Sequence, residues 1–124
     1  MTLGRWVTRV QANPAVRAAA RLLAGIAVAG IGAIRRLDAE HAEIKSMHTA
    51  AAMRGRGIGR AVLGYLIGVA RDRGCRRVSL ETGSAEAFAP ARALYASAGF
   101  EPCGPFGGYP PSPTSVFMTL QIGI

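Results

Sequence analysis

The stretch Met53-Arg54-Gly55-Arg56-Gly57-Ile58-Gly59-Arg60 decides how the rest of the chain is read. Its three glycines are interleaved with arginines, and an amphipathic helix pattern follows at once. Glycine lets backbone approach a ligand closely and adopts angles closed to other residues. A glycine turn running into a helix start offers unpaired N–H groups and the positive end of the helix dipole, which together attract phosphate. Arg54, Arg56 and Arg60 add charge beside it. The P-loop is excluded, because Gly59-Arg60-Ala61 lacks the Gly-Lys-Ser/Thr ending. The dinucleotide fingerprint is excluded too, because Gly55, Gly57 and Gly59 are spaced by two. A plain glycine turn before an ordinary helix is the rival reading.

With 124 residues the chain is one domain, long enough for a real core. Half of it is hydrophobic and 18% is charged, a globular rather than a disordered composition. The formal net charge of +8 suits nucleic acid, an anionic membrane or a polyanionic small molecule. Aromatic residues make up only 6% and are not interleaved with basic runs, which argues against a base-stacking nucleic-acid binder. Cys75 and Cys103 have no metal-like spacing and form no disulfide framework, so a reduced, cytoplasmic setting without metal is expected. Arg5, Arg9, Arg17 and Arg21 before the apolar run Leu22 to Ile34 look like a secretory signal. Glycines interrupt that run, Arg35-Arg36 follow it in place of a cleavage site, and it is too short to span a bilayer. No membrane partner is expected.

Residues 1–25 read as an atypical basic helical segment, with Asn13-Pro14 as its cap and first turn. The core is expected in residues 26–124. Residues 26–37 read as a buried strand, 37–41 as a polar turn and 42–49 as a second strand, the two pairing as a hairpin. Residues 58–73 are the clearest helix: Ile58, Val62, Leu66 and Val69 form a stripe that Leu63, Ile67 and Ala70 widen, and Gly74 ends it. Residues 75–82 form a strand with Val78 and Leu80 on one side and Ser79 and Glu81 on the other. Strand, helix and strand make a βαβ crossover with parallel strands. A shorter helix spans 90–98 with Gly99 as its stop, and 100–103 is a short strand. Residues 104–113 are irregular, and 114–122 alternate as a half-buried strand.

Two motifs then agree. Arg54-Gly55-Arg56-Gly57-Ile58-Gly59, between a strand and a helix, is similar to the acyl-CoA loop Gln/Arg-x-x-Gly-x-Gly/Ala of the GCN5-related N-acetyltransferases. Leu94-Tyr95, three residues, then Gly99-Phe100 resembles that family's second signature. Glu43 to Thr49 resembles the strand that splays to admit the pantetheine arm, while Leu80 to Gly83 and Pro105 to Pro110 resemble one bacterial branch. The resemblance covers residues 26–122. It implies an α/β acyl-CoA N-acyltransferase fold: a mixed, mostly antiparallel sheet flanked by helices and split around an acyl-CoA cleft.

It also implies acetyl transfer from acetyl-CoA directly to an amine, on a small molecule or a peptide. Amides of Arg54, Gly55, Arg56, Gly57, Ile58, Gly59 and Arg60 would take the pyrophosphate. Main chain of Met47, His48 and Thr49 would bond pantetheine as a partial strand. An ammonium must lose a proton before it attacks, so a base is needed. Glu43 is the first candidate and Glu81 the second. Tyr95 sits where the family places the acid that protonates the leaving thiolate. The rival readings are a core tyrosine for Tyr95, an edge charge or a partner of Lys45 for Glu43, surface histidines for His41 and His48, and a solvated face for the arginines outside the loop.

Two departures stand out. The family's usual first strands and helices, which wall the acceptor site, have no counterpart in residues 1–25. A shortened or rearranged product, or a partner such as a second copy in a homodimer covering the exposed sheet edge, would account for that. Phe88-Ala89-Pro90 stands where many members carry Asn, so a pantetheine contact is missing. A degenerate acyl-CoA-binding module and a basic nucleic-acid-binding domain are the alternatives, the second distinguished by steep salt dependence.

Overall fold

The computed structural model describes residues 30–49 and 57–123. The expected N-terminal helix and the signal-like run up to residue 29 lie outside these residues, as do residues 50–56 of the glycine loop. Strands β1 (Gly30–Arg36) and β2 (His41–Thr49) form the expected antiparallel hairpin, with Arg35 opposite Glu43 and Ile34 opposite Ile44. Its turn is closed by the Leu37 N–H donating to the His41 carbonyl at 2.8 Å and the Glu40 N–H donating to Asp38 Oδ1 at 2.8 Å. Helix α1 (Ile58–Asp72) leads to β3 (Arg77–Gly83). A 3-10 turn (Glu86–Phe88) and helix α2 (Ala89–Ser97) follow, then β4 (Glu101–Cys103) and β5 (Ser115–Gln121). The sheet runs β1-β2-β3-β5-β4, and β2 with β3 is the parallel pair among antiparallel ones.

Alternation and helical period place the core. Ile34, Ala42, Ile44, Val78, Leu80 and Met118 leave one sheet face and meet Ile58, Val62, Leu63, Leu66 and Ala70 of α1. The buried stripe of α1 runs through Leu63 and Ala70, while Ile67 and Val69 are only partly covered. Both helices end the same way. Gly74 (φ 84°) follows α1, with its N–H donating to the Arg71 carbonyl at 3.0 Å and the Cys75 N–H to that of Ala70 at 2.9 Å. Gly99 (φ 103°) follows α2, its N–H bonding Ala96 at 3.0 Å and the Phe100 N–H bonding Tyr95 at 3.0 Å. This paired-bond cap needs a left-handed residue, and it commonly brings the next side chain onto the helix's last turn. Phe100 does so against Tyr95, ring centroids 6.0 Å apart. The Leu-Tyr…Gly-Phe signature is therefore a helix cap with its apolar contact.

The sequence expectation for β5 needs correction. It is not half-buried: Phe117 and Met118, on opposite faces, are both buried. The irregular segment 104–113 folds across the face opposite α1, packing Phe106 edge-on and Tyr109 at a tilt against Phe117 at 5.6 and 6.1 Å between ring centroids. Pattern alone could not reveal that cover, because a loop has no period to read.

Candidate functional site

The parallel ladder between β2 and β3 is short. It pairs His41 to Ile44 with Arg77 to Leu80 and stops. Beyond it β2 runs on to Thr49 beside β1, and β3 runs on to Gly83 beside β5. The two facing strand edges are left without ladder bonds to each other. A register shift marks the same place: Ala33 pairs with Lys45 but Ile31 with His48, so Ser46 and Met47 face the single Gly32. Such a bulge bends its strand and increases its twist, which parts β2 from β3.

Met47, His48 and Thr49 are the backbone of β2 beyond that split. The chain then passes through residues 50–56, which include Arg54, Gly55 and Arg56 and lie outside the described residues, to the N-terminus of α1. Gly57 caps the helix in the left-handed region (φ 76°) without a side-chain cap, and no acidic residue occupies the first turn. The first intrahelical bond is Ala61 N–H to the Gly57 carbonyl at 3.0 Å. The amides of Ile58, Gly59 and Arg60 precede it and carry no helical partner. Ile58 itself is buried in the core, and Arg60 Nη2 donates to Ser97 Oγ at 3.1 Å, tying the start of α1 to the end of α2.

Tyr95 lies on the helix side of the sheet, 7% exposed, and burial pushes its phenol above the usual range. It is therefore a neutral O–H donor near neutral pH. Its hydroxyl makes no hydrogen bond to any described residue.

Glu43 lies on the opposite face, only 2% exposed. Its partner is not Lys45. Arg35 Nη2 donates to Oε1 at 2.8 Å and the Tyr109 hydroxyl to Oε2 at 2.7 Å, while Lys45 Nζ donates to the Tyr109 oxygen at 3.3 Å. The cross-strand register Arg35–Glu43 was implicit in the hairpin. For Tyr109 the sequence offered only its place in the Pro105 to Pro110 stretch, whose resemblance to one bacterial branch attached no role to it. Glu81, the second candidate base, is exposed and accepts from Ser115 Oγ at 2.6 Å.

The arginines outside the loop are not all a solvated face. Arg35 grips Glu43, and Arg92 Nη1 donates to the Gly83 and Ala85 carbonyls at 2.7 and 3.0 Å, fastening the end of β3 to α2. His41 is partly buried and not free. Its Nε2 is 2.6 Å from Ser79 Oγ, which is 2.8 Å from Thr119 Oγ1. Thr119 donates onward to the Val78 carbonyl at 3.4 Å, so proton counting makes Ser79 a donor to Thr119 and an acceptor from His41 Nε2–H. An open cleft of about 330 Å³ next to His41, lined by Asp38, Glu40, Arg76, Arg77 and Gln121, sits where β2 and β3 begin. That is the end of the ladder away from the split. Burial raises the Cys75 and Cys103 thiols, which keeps them protonated and poor nucleophiles near neutral pH. No helix among the described residues is long and apolar enough to cross a membrane, and no cluster of metal-ligating side chains occurs among them.

The profile of the Acetyltransferase (GNAT) family matches residues 6–100. The chain belongs to the GNAT family. The uncharacterized N-acetyltransferase YsnE of Bacillus subtilis is 49% identical over 98 residues, 79% of this chain and 65% of YsnE. The chain spans less than two thirds of the length of the curated relatives it matches. A Klebsiella pneumoniae protein provisionally assigned as an acyl-CoA N-acyltransferase shares the fold with a TM-score of 0.73 and 25% identity, over 98% of this chain and 99% of that one. A Bacillus subtilis acetyltransferase in complex with CoA shares it with a TM-score of 0.64 and 17% identity, over 76% and 69% of the two chains. The GNAT fold expected from the two motifs is thus the observed one.

Proposed function

We propose that this GNAT chain transfers an acetyl group from acetyl-CoA directly to an amine on a small molecule or a peptide. The observation that carries the reading is the early end of the β2–β3 ladder, with its bulge, joined by residues 50–56 to the N-terminus of α1, which has no side-chain cap. The bound CoA of the Bacillus subtilis structure is consistent with it. The pyrophosphate would lie on the amides of Arg54 to Arg60, where the dipole of α1 favours negative charge. Pantetheine would enter the split and bond the main chain of Met47, His48 and Thr49 as a third, partial strand. Tyr95 and Glu43 approach the sheet from opposite faces, so the thiolate and the amine would be served from opposite sides. Tyr95, held neutral by burial, would protonate or stabilise the departing thiolate. Glu43 would be the final acceptor of the amine proton. The reaction needs no acyl-enzyme, which suits two protonated thiols.

Thiol release on mixing the protein, acetyl-CoA and a panel of amines tests the proposal. The expected result is release that depends on the amine and falls about 100-fold in Tyr95→Phe, a general-acid effect. Binding of acetyl-CoA without amine-dependent release would make the chain an acyl-CoA-binding module instead.

A further inference from the structure

Glu43 is placed awkwardly for a base that touches its substrate. It is 2% exposed, and each carboxylate oxygen is already engaged, Oε1 by Arg35 and Oε2 by the Tyr109 hydroxyl at 2.7 Å. The group lying over it is Tyr109, carried by the segment that crosses the sheet face opposite α1. A phenol oxygen has one proton to donate and also accepts. The proton goes to Glu43, and Lys45 Nζ at 3.3 Å is a long donor, so the oxygen can accept from an ammonium that comes closer. Lys45 is also the first β2 residue beyond the last ladder pair, Ile44 with Leu80, so this hydroxyl lies at the mouth of the split.

We propose that the Tyr109 hydroxyl, not the Glu43 carboxylate, is the group that takes the proton from the acceptor amine. The inference rests on the transferase reading above. In the step, one N–H bond of the ammonium breaks as its proton bonds the Tyr109 oxygen. The original Tyr109 O–H bond breaks as that proton passes to Glu43 Oε2. The amine keeps the electron pair of its broken bond and becomes the nucleophile. The net change is one proton moved from nitrogen to carboxylate, with Tyr109 unchanged. Lys45 helps twice. Its charge steadies negative charge developing on the phenol oxygen, and it disfavours a second cation beside it, so an arriving ammonium sheds its proton more readily. Arg35 fixes the carboxylate that receives the proton. The other ionisable groups on this face among the described residues are His41 from β2, Arg77 and Glu81 from β3, and Glu101 and Cys103 from β4.

The test compares two small acceptors, methylamine, which is cationic near neutral pH, and hydroxylamine, which is largely neutral there. Tyr109→Phe keeps the ring that packs on Phe106 and Phe117. It should retain acetyl-CoA affinity yet lose about 100-fold in kcat with methylamine, the size of a lost acid–base group. With hydroxylamine, which needs no prior deprotonation, the deficit should be much smaller. Glu43→Gln, a nearly isosteric change, should show the same contrast. Because the two residues act as one unit, the double variant should be no slower than the slower single one. Equal deficits on both acceptors, additive losses in the double variant, or a wild-type rate in Tyr109→Phe would overturn the relay and leave Tyr109 as an anchor of its loop. No release with either amine in the unmodified protein, while acetyl-CoA binds, would overturn the transferase reading and the relay with it.

Discussion

His41 sits where β2 begins, partly buried beside Phe106 and bonded to Ser79. Burial, with the charge of Arg77 assisting, holds its imidazole below the ordinary value of 6.5, while Asp38 and Glu43 pull the other way. A native value below the unfolded one means that the unfolded chain binds more protons in between. The stabilisation is complete above about 6.5 and is lost as the pH falls through the lowered native value. Melting temperatures measured from neutral to mildly acidic pH should therefore fall more steeply for the wild type than for His41→Gln. Parallel curves would mean that the imidazole is not what senses the acid. Single residues were unevenly legible in the sequence. Tyr95 was placed by a motif that is also a helix cap, so the role proposed for it and its geometry share one signature. Tyr109 was not, because its contact with Glu43 spans 66 positions and depends on where an aperiodic loop lands.

The elements were easier to read than the contacts between them. Apolar spacing at 3.6 or 2 residues set α1 and the paired strands, and Gly74 and Gly99 set the helix ends, within a residue or two of their observed positions except at the start of β1, which was expected at residue 26, outside the described residues. Those two glycines were legible because a left-handed cap leaves few alternatives. Gly99 is the more constrained. With φ at 103°, an added Cβ would stand 3.2 Å from Leu120 Cδ1. Gly99→Ala should cost about 1–3 kcal/mol, the range for strained backbone. In a denaturant titration it should lower the midpoint and leave the slope unchanged. An unaltered midpoint would show that the cap at the end of α2 does not hold Tyr95 in place. What the pattern could not show was that β5 is covered on both faces. Alternation reports which residues can share a face, and it is silent on what lies over the second one.

Across the whole molecule, one division of labour connects fold to function. The helix side of the sheet holds the apolar core, the N-terminus of α1 and Tyr95. The other side holds a polar network of Arg35, Glu43, Lys45 and Tyr109, under a loop that links β4 to β5. The split between β2 and β3 is where a ligand could pass from one side to the other. The family and the fold were within reach of the sequence because the glycine loop and the helix cap are local and recur at fixed spacing. The acceptor was not, because the surfaces that would recognise it come from distant segments. Calorimetric titration with acetyl-CoA, on the wild type and on Gly57→Glu, tests the central claim most directly. Among the described residues nothing lies within 4 Å of a Cβ added at Gly57, so the variant brings a negative charge to the start of α1 without a clash against them, at the cost of a left-handed backbone angle. The account predicts micromolar-range binding, roughly −8 kcal/mol, that the glutamate abolishes. Equal binding by both proteins, or none by the wild type, would contradict it.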